Sequence, residues 1–457
     1  MNETICAIST ARGKGGVAVI RISGESALDV LKRSFVLFSK KEFEPEPRRC
    51  YYGSIIRDGV EIDDVTVIYF KAPASYTGED VCEICCHGGT YVTSAVLEVA
   101  LSNGARLAEA GEFTKRAYIN GKLTLSRAEA VGQIIDAQTD AQLRLSSAQR
   151  RGTLSARLDK IKGIMLDLIA RAYVVVDYPD EDLPSVERGD MADKLDKVRE
   201  ELQALKGTYR TGLAVCEGVK TVIVGKPNVG KSSLYNALCG EELAIVTDIA
   251  GTTRDIIEHT VSVGDVTLRL ADTAGIRETS DVVEKIGVER ALEKFDEATL
   301  VLCVFDASER EDERDIALLD KIKGKTAIAI INKTDKEKCL SAEFEAKIKE
   351  KIPRVVYLSA RADEGIDALG EALNEMYNLD ELDLSSDAII SNARQASSVN
   401  NALEIVSEAC AFLDMGQSPD IVCFALERAL ASLEEIDARG ISEEIVSQIF
   451  SRFCVGK

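Results

Sequence analysis

The stretch "GKPNVGKSS", Gly225 to Ser233, has residue types suited to holding phosphate. It fits the spacing G-x-x-x-x-G-K-[S/T], follows the apolar run "TVIV" and precedes "SLYNALCG", whose spacing predicts a helix. Glycines at both ends let backbone N–H groups wrap around phosphate oxygens, and a helix N-terminus adds positive potential. Lys231 is placed to reach the β- and γ-phosphates and Ser232 to bind Mg²⁺, while Asn228, Val229, Gly230 and Ser233 line the same loop. Alone, the motif could be a glycine-rich turn.

Three further groups remove that alternative. "DTAG" (Asp272, Thr273, Ala274, Gly275) closes a strand-like run, where a carboxylate can hold Mg²⁺ through water. "NKTD" follows "TAIAII" and contains Asn332, Lys333 and Asp335. Asp335 is placed to accept hydrogen bonds from the N1–H and 2-amino group of guanine, which adenine cannot supply. "SAR" (Ser359, Ala360, Arg361) ends the next run and would back the base. Between the phosphate loop and DTAG lies "TDIAGTT": Thr247, Asp248, Ile249, Ala250, Gly251, Thr252 and Thr253. A switch loop belongs there, with Thr253 the second Mg²⁺ ligand. The set reads as a guanine-nucleotide hydrolase. One part is missing: Ras-like GTPases place a water-orienting glutamine just after DTAG, and here Ile276 follows Gly275. Arg277, Glu278, Asp281 and Glu284 are the nearby replacements, and each reads by composition as a solvated surface charge.

Strands alternating with helices must position these loops. "TVIVG", "VTLRLADTAG", "LVLCVFDAS", "TAIAIINKTD" and "RVVYLSA" predict a mostly parallel sheet over 218–378, with every motif at a strand's carboxyl end. Residues 1–120 mix short β-rich runs with two helical ones, the second stopping at Asn103-Gly104. Long helical periodicity fills 121–217 and returns over 379–457. The expected fold is therefore multidomain: an α+β N-terminal domain, and a discontinuous all-α helical domain with a Ras-like α/β P-loop GTPase domain inserted into it.

Composition limits the alternatives. The chain has 457 residues, of which 46% are hydrophobic, enough for a core in each of several domains. No run of about 18 apolar residues argues for a membrane span, and "MNETICAIST" lacks the pattern of an export signal. The 12 cysteines then read as reduced, cytoplasmic thiols. "CEICCHGG" crowds Cys82, Cys85, Cys86 and His87 together without a second ligand cluster, so a buried cysteine-rich strand is the better reading than a metal site. A net charge of −21 argues against a general nucleic-acid coat, although residues 1–160 are close to balanced.

The phosphate loop, "GTTRD", "DTAGIRETSDVVEKIGVERA", the inserted domain and the terminal "FCVGK" together resemble the MnmE (TrmE) family of tRNA-modification GTPases over essentially the whole chain. The resemblance implies a partner, the FAD-containing GidA or MnmG, with which an aminomethyl-type group is placed on carbon 5 of the tRNA wobble uridine. It also implies K⁺ in the role of an arginine finger, held by Asn228 with the loop around Thr247, Ile249 and Thr252. Hydrolysis would be switched on when two GTPase domains dimerise, and Glu284 would be the acid that orients water. The N-terminal domain would form a homodimer and bind 5-formyltetrahydrofolate through Arg21, Glu79 and Lys122.

Two other functions compete. A ribosome-assembly GTPase would use the same core, but such relatives lack the N-terminal domain and terminal cysteine, and carry a basic module. A membrane-anchored GTPase would need "CVGK" to be a prenylation box, which Gly456 and Lys457 spoil. Under the resemblance, Cys454 serves tRNA modification but not hydrolysis, and Lys457 contacts the folate.

Overall fold

The computed structural model describes residues 3–456 apart from 12, 40, 178–187, 241–257, 272–294, 323, 363, 438–442 and 452. They form two compact units, 1–132 with 434–457, and 133–433.

The first unit is a seven-stranded sheet in the order β3-β4-β5-β6-β2-β1-β7. Its strands are β1 (Ile5–Ile8), β2 (Val17–Ser23), β3 (Phe35–Leu37), β4 (Cys50–Arg57), β5 (Val60–Phe70), β6 (Val81–His87) and β7 (Arg106–Leu107). All pairs are antiparallel except β1 with β7. Period-two alternation puts Ile20, Ile22, Val65, Val67, Cys82, Ile84 and Cys86 in one core with Val96, Val99 and Ala100 of the helix Thr90–Ser102. The "CEICCH" run is thus a core strand, and burial pushes the Cys86 thiol up to about 11. His87, at its end, pairs with Asp63 instead of joining the cysteines.

The C-terminal end of the chain belongs to this unit. Val446 and Phe450 of the helix Glu443–Phe450 are buried with Leu125 and Ala128. Phe453 lies against Phe450, with ring centres 5.2 Å apart. Residues 121–132 and 434–457 thus share one compact unit with the N-terminal sheet.

The second unit holds a six-stranded sheet in the order β13-β12-β11-β8-β10-β9. These are β8 (Val219–Val224), β9 (Glu258–Val263), β10 (Val266–Ala271), β11 (Leu300–Asp306), β12 (Ala327–Asn332) and β13 (Val355–Tyr357). Pairing is parallel throughout except for the β9–β10 hairpin. That hairpin turns at Gly264, whose φ of +62° suits a residue without Cβ. All seven residues of β11 are buried, as a central parallel strand requires. Long helices, among them Thr153–Asp177, Arg188–Gly207 and Ala393–Asp414, come from both flanks of this sheet in the sequence. The helix Tyr209–Cys216 leads into β8 and meets the returning chain at Gly212, where a Cβ would stand 1.9 Å from the Ile390 carbonyl oxygen. Among the described residues, no helix is long and apolar enough to cross a membrane.

A charged network fastens the first unit. Arg116 donates to both Glu79 and Glu112, and Arg106 forms a two-bond fork with Glu112. Burial alone would raise the Glu112 carboxyl, but Arg106, the Glu109 N–H and Arg116 outweigh it and hold it at about 2 against an ordinary 4.5. A depressed carboxyl adds stability above its unfolded value and loses it as pH falls towards its folded one. That depression corresponds to about 3 kcal/mol, expressed fully above pH ~4.5 and gone near pH ~2. Chemical denaturation of wild type and Glu112→Gln should therefore show a stability gap that is widest above pH ~5 and narrows towards pH ~2. A gap that is the same at all pH values would disprove the assignment.

Candidate functional site

The carboxyl ends of β8, β12 and β13 converge on one cleft of about 400 Å³, lined by Asn228, Gly230, Lys231, Ser232, Asp335, Ser359 and Arg361 among others. Ligands bind at this edge of an open α/β sheet. The phosphate loop follows β8 and runs into the helix Lys231–Leu238. Gly230 caps that helix at φ +100°, and Asn228 stands at φ +65°, an uncommon value outside glycine. Lys231 donates from Nζ to the Gly225 and Lys226 carbonyls, at 2.9 and 2.8 Å. Burial lowers its pKa from the ordinary lysine value. The ammonium is thus held inside the loop by two neutral acceptors, and a phosphate would offer it a charged one.

Asn332 joins the two halves of the cleft. Its Nδ2 donates to the Val229 carbonyl at 2.8 Å, and its Oδ1 accepts from the Ala360 N–H at 3.0 Å. Asn332 is 2% exposed, so neither bond can be exchanged for water. The Ser359 hydroxyl donates to Asp335 Oδ1 at 2.6 Å, and this bond leads the causes that lower the Asp335 carboxyl from its ordinary value. Asp335 is therefore an ionised, oriented and exposed acceptor, as a guanine edge with two donors requires. Lys333, at φ +65°, donates to the Asn228 carbonyl at 2.7 Å and pairs with Asp306.

The sequence motifs did not reveal Asp306 or Lys226. Asp306 ends β11, a carboxylate closing an otherwise apolar buried strand, and that contrast was the available signal. Burial alone would raise its carboxyl, but Lys333 and two bonds from Ser308 outweigh burial and lower it. Lys226 is buried against Asp315 at 2.9 Å, which ties the phosphate loop to the helix Glu313–Lys321. Thr247, Asp248, Ile249, Ala250, Gly251, Thr252, Thr253, Asp272, Thr273, Ala274, Gly275, Glu284 and Lys457 lie outside the described residues.

In the first unit, the loop 71–80 between β5 and β6 gathers the three other singled-out residues. Arg21 pairs with Glu83, and its guanidinium carbon lies 5.3 Å from the ring centre of Tyr76. Glu79, on the loop, accepts from Ser23 and Arg116. Lys122 donates to the Pro73 carbonyl at 2.9 Å. Arg116, which sequence reading passed over, orients Glu79. The tail docks on this same unit. Val455 bridges Ala110, the Gly111 N–H meets the Cys454 carbonyl at 3.4 Å, and Ser9 donates to the Gly456 carbonyl at 3.0 Å. Gly456 is buried at φ +98°, where a Cβ would sit 2.2 Å from the Ile8 carbonyl oxygen. Only a glycine fits there. Cys454 itself is exposed.

Two family models match the chain: the GTP-binding protein TrmE N-terminus over residues 4–122 and the MnmE helical domain over 125–454. The sequence is 40% identical to the tRNA modification GTPase MnmE of Clostridioides difficile, over 100% of each chain. It is 41% identical to that of Bacillus pumilus and 39% identical to that of Thermotoga maritima, again over 100% of each.

The Asp335 geometry can be tested by changing the base it should accept. Asp335→Asn turns an acceptor pair into a donor and an acceptor, which suits xanthine rather than guanine. Losing two charge-assisted bonds should weaken GTP binding by roughly 100-fold or more, with a matching gain for xanthosine triphosphate. Competition against a fluorescent guanine nucleotide checks both, and unchanged GTP affinity would show that Asp335 does not read the base.

Proposed function

The chain belongs to the MnmE family of tRNA modification GTPases, a GTP hydrolase acting in tRNA modification, and we propose that its hydrolysis is activated by potassium and serves a folate-dependent modification of the wobble uridine. The observation that carries this reading is the conformation of Asn228 in the cleft, at positive φ with its carbonyl accepting from Lys333. That sets an asparagine within the loop that takes the phosphates, on a backbone gripped from the guanine loop.

Lys231 and the loop N–H groups bind the phosphates, Asp335 selects guanine, and Ser359 and Arg361 back the base. The oxygen donors offered by this segment suit hard cations: Ser232 and Thr253 would hold Mg²⁺, and Asn228, Thr247, Ile249 and Thr252 would hold K⁺. When bound, these ions supply fixed positive charge against the charge that builds on the phosphates in the transition state. No glutamine stands after DTAG, and the family resemblance, rather than the residue pattern, points to Glu284 as the group that orients the attacking water. Pairing of two GTPase domains switches hydrolysis on.

The second half of the reading rests on the first unit. The loop 71–80 collects Arg21, Glu79 and Lys122, a set of cations and a carboxylate that fits a glutamate tail and a pterin edge. These residues and Lys457 would hold 5-formyltetrahydrofolate, which supplies a one-carbon unit when bound. The tail docks on the same unit, which favours a role for Cys454 in that half of the activity. The active form is a cytoplasmic homodimer joined through residues 1–120, working with the FAD-dependent MnmG/GidA partner on tRNA. The inserted GTPase domain spans 218–378, between the helical segments 121–217 and 379–457. The ribosome-assembly alternative loses ground because the likeness to tRNA modification GTPases runs over the full length.

Turnover of GTP should rise by an order of magnitude or more when sodium is replaced by potassium, and Asn228→Ala should remove most of that rise. In the same assay, Glu284→Ala should bind nucleotide but not turn it over. Equal rates in the two salts would rule out the potassium reading. Cys454→Ser should keep the potassium-stimulated rate and leave the wobble uridine unmodified, as nucleoside analysis of tRNA from complemented cells would show. Normal modification in that strain would reduce Cys454 to part of a tail.

A further inference from the structure

Asp306 is the most enclosed ionised group near the cleft that no nucleotide motif accounts for. Its side chain is 1% exposed, and its residue pairs in register with Asn332 across β11 and β12. Each carboxylate oxygen has its own task. Oδ1 accepts from the Ser308 N–H at 2.9 Å and the Ser308 hydroxyl at 2.7 Å. Oδ2 takes the Lys333 ammonium, and the same ammonium donates to the Asn228 carbonyl. A relay of three charged or polar groups thus runs from the middle of the sheet, through the guanine loop, to the phosphate loop.

The two residues that this relay joins have the same backbone peculiarity. Asn228 and Lys333 both sit at φ +65° without being glycine. Such a conformation is unfavourable for most side chains, less so for asparagine than for lysine, and neighbouring contacts help to hold it. The described contact that holds the Asn228 backbone from across the cleft is the Lys333 ammonium. A lysine has a flexible stem and three rotatable donors, so a second anchor is needed to keep it there. Asp306 is that anchor.

We propose that Asp306 is a positioning residue for GTP hydrolysis: by pinning Lys333 against the Asn228 carbonyl, it keeps Asn228 in the conformation that receives the activating cation. This deepens, and rests on, the potassium reading above. Without the carboxylate, Lys333 leaves the Asn228 carbonyl for part of the time, and the competent fraction of the loop falls. Apparent cation affinity falls by the same fraction, while the rate at saturating cation is preserved.

Asp306→Asn keeps the shape and the bonds from Ser308 but removes the charge. Potassium should be titrated against the melting temperature of the protein bound to a non-hydrolysable GTP analogue, and separately against turnover. Half-saturation should move up roughly tenfold in both titrations, with the turnover at saturating potassium within about twofold of wild type. If that variant does not fold, Ser308→Ala leaves the ion pair but frees the carboxylate on one side, and should move half-saturation the same way by a few-fold. An unmoved half-saturation in a potassium-activated protein overturns this role for Asp306 and leaves the potassium reading standing. A loss of rate that is equal at every potassium concentration overturns it too, since that is what general structural damage produces. A wild type indifferent to potassium overturns both.

Discussion

The nucleotide cleft depends on one buried amide. Asn332 holds the phosphate loop through the Val229 carbonyl and the SAR loop through the Ala360 N–H. Both groups are backbone, and leaving either one orphaned in the interior costs about 1–3 kcal/mol. The approach is close: a Cβ on Gly230 would lie 2.2 Å from Asn332 Nδ2. The glycine that a phosphate loop needs for its own turn is also the glycine that lets the amide reach across. Asp306 and Lys333 add a charged second link beside the neutral one, and Lys226 with Asp315 adds a third from the outer side of the loop. The loop that meets phosphate is rigid because neighbouring strand ends grip it, and rigid donors are what electrostatic stabilisation of a transition state requires.

The first unit follows a comparable rule with different parts. Its sheet buries one face under the helix Thr90–Ser102, and the chain's last helix and tail pack elsewhere on the same unit. Arg116 spans Glu79 and Glu112, so the loop carrying Glu79 is fastened to the helix Glu112–Ile119 by an ion pair that is only 7% exposed on the arginine side. A buried pair of this kind is a weak source of net stability but a strong constraint on geometry, because breaking it leaves an uncompensated charge. The tail reaches its place by backbone bonds and a glycine conformation rather than by burying large side chains. That leaves Cys454 exposed at the surface of a fixed strand-like segment.

Much of this was legible in the residue order. The phosphate loop, NKTD and SAR are local motifs, and their chemistry follows from residue type at fixed spacing. The strands β8, β12 and β13 announced themselves as apolar runs leading into those motifs, and Asn103-Gly104 stopped the helix Thr90–Ser102 as read. The strand β9 went unread because its alternating "EHTVSV" pairs only with the hairpin neighbour β10, at the edge of the sheet. β4 went unread for a related reason: "CYYGSIIR" carries a glycine in mid-strand, which normally argues against one. Here Gly53 is required, since a Cβ would stand 2.2 Å from the Val36 carbonyl of β3.

By itself the sequence determined that this chain binds a guanine nucleotide, because each motif for phosphate or base is a short local run whose residue types carry its chemistry. Resemblance to a family carried the rest of the activity. Only the tertiary structure decided which carboxylates serve the site from outside the motifs, since Asp306 and Asp315 become partners of Lys333 and Lys226 only once β11, β12 and the phosphate loop are brought side by side. It also decided where the last residues belong. Helical periodicity from 379 onward says that an element forms, not what it packs against, and the docking of Gly456 on Ile8 and Ser9 joins residues separated by nearly the whole chain. Such contacts depend on a cleft that exists only after folding, and no local pattern of side chains encodes it.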